Sequence, residues 1–156
     1  MQVPIIHGGV HWQSFLKYGH TKPIHPQLNP YKHREIKYAA TQKVIPVEDT
    51  SPALYAAGVK IIQTIVGSLL YYARAFNNKL LVALCDTGSQ QASAIEDTAT
   101  DIKQLLDYVA IYQNDDIIYC ASNMVLSYHA DDSFHNDSKN RSRLGAHIFL
   151  SENDPG

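Results

Sequence analysis

Between residues 51 and 113, apolar residues recur three and four positions apart, which predicts three packed helices. The first covers GVKIIQTIVGSLLYYARAF. We expect Ser51-Pro52 to begin it, because serine caps helices and proline suits their first turn. Gly67 lies inside this helix, where glycine costs about 1 kcal/mol relative to alanine, so another backbone is expected to pack close to it. The predicted apolar face comprises Val59, Ile62, Val66, Leu69, Leu70 and Ala73.

Two shorter segments complete the predicted helical region. KLLVALCDTGSQQ is the second apolar segment, and the Ser93-x-x-Glu96 capping box is expected to open the third helix. Tyr71 and Tyr72 lie on opposite flanks of the first helix, so one of them is expected in the core. The apolar face of the third helix comprises Ile95, Ala99, Ile102, Leu105, Leu106 and Val109.

After QNDD the period of the pattern changes from helical to alternating, which predicts strands. The runs DIIYCASNMVLSYHADDSF and RLGAHIFLS are expected to pair as an antiparallel hairpin across the polar loop HNDSKNRS. The predicted fold class is therefore α+β, a three-helix segment followed by an antiparallel β-hairpin. A lone hairpin is marginally stable in water, so Val125, Ile148 and Phe149 are expected to need cover.

The first fifty residues differ in character from the rest of the chain. VHWQSFLKYGH predicts a short helix that Gly19 ends, and Pro23, Pro26 and Pro30 then favour an extended tether. The lysines and histidines of the tether either belong to a solvated linker or contact phosphate groups. The sequence thus predicts a basic, Pro-rich segment at 1–50, a helical region at 51–113 and a strand region at 117–156.

Composition excludes several classes of protein. The chain has 156 residues, of which 45% are hydrophobic and 18% charged, as in globular proteins. The net charge of −2 divides into +4 over residues 1–60 and −6 over residues 61–156, which suggests different roles for the two parts. Cys85 and Cys120 form no Cys-x-x-Cys pair, and no secretory leader is recognised, so we expect an intracellular protein with reduced thiols. The uncharged apolar stretch from Ile61 to Ala73 is too short to span a bilayer, so no membrane partner is expected.

The stretch YHADD at Tyr128–Asp132 resembles the Tyr-x-Asp-Asp turn of reverse transcriptases, but two residues separate Tyr128 from Asp131. Side chains alternate between the faces of a strand, so the extra residue turns the tyrosine to the other face relative to the acids. The same spacing occurs in YQNDD at 112–116. Neither stretch is interpreted as a polymerase turn.

Four segments in order resemble the Pol polyprotein of Ty1/copia-type LTR retrotransposons. They are VGSLLYYARAF, IKQLLDYV, YHADDSF and KNRSRLGAHIFL, and the resemblance covers about residues 58–151. In that family a Val-Gly-Ser-Leu-Leu-Tyr helix follows the reverse-transcriptase palm, and an RNase H domain begins after a further helix. The resemblance implies that the hairpin is the start of an RNase H-like fold. It also implies that Asp131 matches the first metal-binding carboxylate of RNase H, and that the parent protein acts on template-primer and RNA–DNA hybrids.

The site implied by this resemblance is incomplete. RNase H chemistry uses clustered carboxylates to hold two Mg²⁺ ions about 4 Å apart. The family supplies four carboxylates, whereas this chain offers Asp131, and Asp137, Glu152 and Asp154 are not expected to substitute. Mg²⁺ is therefore implied for the complete parent enzyme, and the isolated chain is expected to be inactive. Asp132 departs from the family pattern, which leaves the choice between the two aspartates open, and a solvated strand end remains the alternative interpretation.

Arg141 and Arg143 are two residues apart, so they would share one face of a strand. They either contact the phosphates of a hybrid or are charges on a solvated edge. His7-x₃-His11 has the spacing of helical zinc ligands, but Gly8-Gly9 and the lack of a cysteine pair argue against zinc. Besides a Pol segment, the sequence allows a non-catalytic nucleic-acid-binding module or a helical interaction protein, and it does not determine the oligomeric state.

Overall fold

The structure is a computed structural model and describes residues 16–32, 51–113, 122–137 and 141–152. These residues belong to two compact units. The helical unit contains residues 16–32 and 51–113, and the hairpin unit contains residues 122–137 and 141–152. In sequence order, three α-helices precede a two-stranded antiparallel sheet, which confirms the predicted α+β class.

The first helix, α1, spans Ala56–Ala75 and begins later than the sequence predicts. Tyr55 is its N-cap and makes no side-chain capping bond. The expected cap of α1 at Ser51-Pro52 is therefore wrong. Instead, the Oγ of Ser51 accepts the backbone N–H of Asp97 at 3.4 Å, and the carbonyl of Pro52 accepts that of Glu96 at 3.0 Å. The Ser51-Pro52 segment thus satisfies free N–H groups at the start of a different helix.

That other helix, α3, spans Glu96–Ile111, and its N-cap is Ile95. The predicted capping box is wrong in its residues, because Ser93 lies in a short 3₁₀ turn that precedes the helix. Thr98 is the residue that closes the first turn: its Oγ1 accepts the N–H of Ile95 at 3.3 Å and donates to Oε1 of Gln90 at 3.3 Å. Thr98 is 1% exposed, so these bonds form in the interior.

Helix α2 spans Leu81–Gln90 and packs against α1 and α3. The close approach expected at Gly67 is wrong, because Gly67 is exposed and a Cβ there would meet no atom within 4 Å. The contact lies at Gly88 of α2 instead, where a Cβ would lie 3.6 Å from Cγ1 of Val66.

The core of the helical unit forms where the three apolar faces meet. Leu69, Leu80 and Leu105 are fully buried, at 0% exposure. Tyr72 is the core tyrosine, at 3% exposure, and its hydroxyl donates to the carbonyl of Gln113 at 3.3 Å, whereas Tyr71 is 74% exposed. The other buried hydrophobic residues include Ile62, Ile65, Val66, Ala73, Ala83, Leu84, Ile102, Leu106, Tyr108 and Val109. The predicted helical faces are confirmed in their central positions, while Val59, Leu70, Ile95 and Ala99 are only partly buried.

Helix α1 has 20 residues and, by length and composition alone, is long and apolar enough to cross a membrane. The uncharged stretch of 13 residues on which the sequence prediction rested is shorter than the helix itself, which includes Lys60 and Arg74. The core helix of a soluble protein meets the same criterion, and six residues of α1 lie in the core against its neighbours. Length and apolarity therefore do not assign α1 to a bilayer.

Residues 16–32 lie along the helical unit. Leu16–Tyr18 form one 3₁₀ turn, and Gly19 ends it with φ of 79°, a left-handed conformation that glycine adopts without strain. The N–H of Gly19 donates to the carbonyl of Leu16 at 2.9 Å. Further along, the carbonyl of Asn29 accepts the side-chain amide of Gln104 at 3.2 Å, so the Pro-rich segment is held against α3.

Strand β1 spans Val125–Asp137 and strand β2 spans Arg141–Ser151. β1 ends and β2 begins within residues 135–142, which were predicted as the polar loop, so the predicted loop is too long. The pairing is regular from Val125–Ser151 to Ser133–Arg143 and has an irregularity before the Asp137–Arg141 pair. Residues 116–121 of the predicted first strand lie outside the described residues, and residues 122–124 are not strand.

Candidate functional site

The hairpin register sorts the predicted site residues onto two faces. Asp131 pairs with Gly145, and Asp132 pairs with Leu144. Because successive side chains point to opposite faces, Asp131 shares a face with His129 and His147, which are themselves a cross-strand pair. Tyr128 lies on the other face, together with Asp132. The extra residue in YHADD thus separates the tyrosine from Asp131 but not from Asp132.

Asp131 lies on an open part of the sheet. The residue is exposed, and a Cβ at Gly145 opposite it would find only the backbone oxygen of Asp131 nearby, at 3.9 Å. The imidazole rings of His129 and His147 stack on the ring of Phe149, with centroid distances of 5.4 and 4.9 Å. An aromatic cluster therefore lies beside Asp131.

The other carboxylates named from the sequence lie far along the sheet or outside it. Asp137 is six residues from Asp131 on β1, about 20 Å away at 3.3 Å per residue. Glu152 is seven residues beyond Gly145, the partner of Asp131, so it lies about 23 Å from Asp131 in the other direction. Asp154 lies outside the described residues.

The residues around Asp131 do not fit a pair of magnesium ions. Two such ions about 4 Å apart need several convergent oxygen ligands. Asp132 points to the opposite face of β1, and within residues 16–32, 51–113, 122–137 and 141–152 no group of three or more His, Cys, Asp or Glu side chains is placed to hold a metal ion.

Arg141 and Arg143 both lie on β2, near the end of the hairpin that carries its connection, and Arg141 is thus part of the strand although it belongs to the predicted polar loop. Their backbone partners are Asp137 and Ser133, and the irregularity of the ladder falls between these two pairs. The strand therefore holds the arginines at fixed register positions on β2.

The base of the hairpin, at its other end, is closed by polar contacts that the sequence did not indicate. Ser127 is 2% exposed and its Oγ lies 2.7 Å from the Oγ of Ser151. The side-chain amide of Asn123 donates to the carbonyl of Glu152 at 3.2 Å. These bonds fix the register at the end of the hairpin that is farthest from the arginines.

The helical unit contains a buried histidine–carboxylate pair that sequence reasoning missed. Nε2 of His20 lies 2.8 Å from Oδ1 of Asp107, and the two side chains are 4% and 13% exposed. Nζ of Lys103 donates to Oδ2 of Asp107 at 2.9 Å, but the lysine side chain is 70% exposed. Nδ1 of His20 is buried and has no hydrogen-bond partner among the residues that the structure describes.

One signal for this pair was present in the sequence. Asp107 interrupts the apolar run LLDYVA, and an acid within a buried helical face requires a partner. The partner is 87 residues away, so nothing local identifies it as His20. From the sequence, His20 was assigned no role beyond that of one histidine in the basic segment. His7 and His11, whose spacing raised the question of zinc, lie outside the described residues.

Comparison with protein-family models, with curated proteins and with solved structures finds no match to this chain.

Proposed function

We propose that this chain is a segment of a Ty1/copia-type retrotransposon Pol polyprotein, with the helices that follow the reverse-transcriptase palm and the first hairpin of an RNase H domain. One observation carries the proposal: the Val-Gly-Ser-Leu-Leu-Tyr motif and the Asp-loop-Arg-Ser-x-x-Gly motif occur in one chain, in the family's order. The first motif lies on α1, and the second runs from Asp131 on β1 to Gly145 on β2.

In this proposal the parent protein copies RNA into DNA and degrades the RNA strand, while the present chain has no chemistry of its own. Asp131 is exposed on the sheet. In the described part of β1 and β2, no second carboxylate lies close to Asp131 on the same face. A lone carboxylate cannot hold two metal ions that each need several oxygen ligands.

A nuclease assay tests the inactive state. The purified 156-residue chain and the Asp131→Asn variant are incubated with an RNA–DNA hybrid and with Mg²⁺ or Mn²⁺. We expect neither protein to cleave the RNA strand. Cleavage by the unmodified chain that Asp131→Asn abolishes would overturn the proposal, because Asp131 would then belong to a complete site.

The genomic reading frame tests the parentage separately. Under the proposal, extension in both directions encodes a polymerase palm upstream and the remaining RNase H carboxylates downstream. An expressed frame that starts and stops at the present ends, with neither element in its neighbourhood, would refute the parentage and leave the assay above unaffected.

A second candidate function is non-catalytic binding of nucleic acid. It is supported by the formal charge of +4 over residues 1–60 and by the exposed side chains of Lys22, His25 and Lys32 on the extended segment. Lysine contacts to phosphate give affinity without sequence preference and make binding depend on salt.

Gel shifts with a duplex and a hybrid at several salt concentrations test this candidate. The Arg141→Ala/Arg143→Ala variant is compared with Arg74→Ala/Lys79→Ala, which removes the same charge from exposed positions outside residues 1–60. If the hairpin arginines contact phosphates, the first variant reduces the salt dependence by about one unit of slope per lost contact, and the second leaves it unchanged. Equal losses would reflect net charge alone, and no binding at low salt would remove the candidate.

A further inference from the structure

One face of the hairpin is almost entirely apolar and is exposed. Four adjacent cross-strand rows form it, and all eight of their residues are exposed. Asp132 carries the single formal charge among them and lies in the last row. We call this surface the apolar face; its rows are Leu126–Leu150, Tyr128–Ile148, Ala130–Ala146 and Asp132–Leu144.

The apolar face is larger than the patches that most monomers leave in water. Its five large side chains, Leu126, Tyr128, Leu144, Ile148 and Leu150, are 46% to 78% exposed. At ~200 Å² for a large apolar side chain, they present roughly 650 Å² to solvent. The largest apolar patch of a typical monomer is about 300–600 Å², whereas one side of a standard protein–protein interface covers about 800 Å². The area is thus in the range that a dimer interface requires.

The order of side-chain sizes along the face makes it complementary to itself. The second row, Tyr128–Ile148, is bulky, and the third row, Ala130–Ala146, is small. A two-fold axis that lies between these rows and runs across the strands sets the bulky row of one copy against the small row of another. The sheets then pack face to face, with side chains that interdigitate about 10 Å apart, as in a β-sandwich.

The same two-fold axis keeps the two negative charges apart. It sets the last row of each copy against the first row of the other, so the two Asp132 side chains lie at opposite ends of the interface. The rim of an interface is accessible to solvent, so a carboxylate at the rim remains hydrated. Like charges therefore do not oppose the contact, as they would if equivalent rows faced each other.

We propose that the apolar face is the contact surface of a symmetric homodimer, in which Tyr128 and Ile148 of each copy pack over Ala130 and Ala146 of the other. This inference depends on the hairpin register and not on the Pol parentage. Within the described residues the sheet has two strands, so each strand also has an outer edge, but pairing of such edges between copies would leave the apolar face in water. Face-to-face packing is the arrangement that removes it from water.

Sedimentation equilibrium of the full chain across the micromolar range measures the dimer. The test compares Tyr128→Lys with Tyr71→Lys, which replaces a tyrosine of nearly equal exposure, 72% against 74%, on α1. We expect Tyr128→Lys to raise the dissociation constant by about tenfold or more, because a charge then enters the desolvated centre. Tyr71→Lys leaves the dissociation constant unchanged.

A second variant separates loss of contact from loss of folding. Ala146 is exposed on its strand, so Ala146→Arg fits the single hairpin but fills the space that receives the bulky row. We expect a monomer whose far-UV circular dichroism equals that of the unmodified chain. A chain that is monomeric at all concentrations, a dimer that neither substitution weakens, or open-ended aggregates in place of a dimer would each overturn the proposal. A monomer in which Tyr128 is protected from solvent would also overturn it, since the chain would then cover its own apolar face.

Discussion

The buried pair of His20 and Asp107 is expected to anchor residues 16–32 to the helical unit, and a double-mutant cycle measures its strength. The perturbations are His20→Ala, Asp107→Ala and the double variant. A parallel cycle pairs Asp107→Ala with Lys103→Ala. Asp107 is common to both cycles, and its two oxygens bond to partners in contrasting surroundings, one buried and one exposed.

The structure sets the expected magnitudes. The contact between Nε2 of His20 and Oδ1 of Asp107 is 2.8 Å long and joins side chains that are 4% and 13% exposed, so the coupling energy should be about 1.5–3 kcal/mol. The bond from Lys103 is of similar length, but its side chain is 70% exposed and lies one helical turn away. Solvent screening reduces that coupling to about 0.3–0.5 kcal/mol.

The assay is urea unfolding followed by far-UV circular dichroism, with both cycles measured at one pH and one ionic strength. Hydrogen exchange on the same variants reports where stability is lost. In His20→Ala we expect amides of residues 16–20 to lose protection more than amides of the core segment around Leu69. The hydrogen bond from the side-chain amide of Gln104 to the carbonyl of Asn29 should preserve part of the amide protection near Asn29.

Equal couplings in the two cycles would refute this reasoning, because burial would then make no difference to the strength of the bond. A coupling below about 0.5 kcal/mol for His20 and Asp107, with a large cost for His20→Ala alone, would mean that the histidine contributes by packing and not through Asp107.

Three further substitutions test the helical unit by urea unfolding. Leu105→Ala should lower the free energy of unfolding by about 2–5 kcal/mol, because Leu105 is fully buried. Val82→Ala, at a position that is 49% exposed, should change it by less than about 1 kcal/mol. Equal effects would contradict the assigned core. Gly67→Ala should stabilise the protein by about 0.5–1 kcal/mol, because apart from the neighbouring backbone of α1 no atom lies within 4 Å of the added Cβ. A loss of stability would mean that another backbone does pack there. Thr98→Val should cost about 1–2 kcal/mol, because the buried Thr98 hydroxyl loses two part-buried hydrogen bonds, while the exposed Thr100→Val should cost less. The reverse order would refute the capping role of Thr98.

Periodicity determined the elements of this protein because helices and strands each bury side chains at a fixed interval. Ile62, Val66 and Leu69 are three or four positions apart, so any helix through them has one apolar face that requires a partner. The change to alternation near residue 116 likewise indicated the hairpin. Identification of Asp131 as a candidate site residue also required only the sequence, since it followed from the order of motifs.

The ends of the elements and the environment of each polar group depended on tertiary structure. Ser51 has the residue type of an N-cap, but its hydroxyl bonds to the start of α3, which is distant in sequence. Asp107 and His20 are 87 residues apart, so no local pattern could pair them. The apolar face was hidden for a related reason: alternation gives the two sides of each strand, but only the register brings Tyr128 beside Ile148 and Ala130 beside Ala146. A single sequence records which side chains lie on one side of an element, whereas burial and hydrogen bonding are properties of pairs of segments, and only the folded chain determines which segments meet.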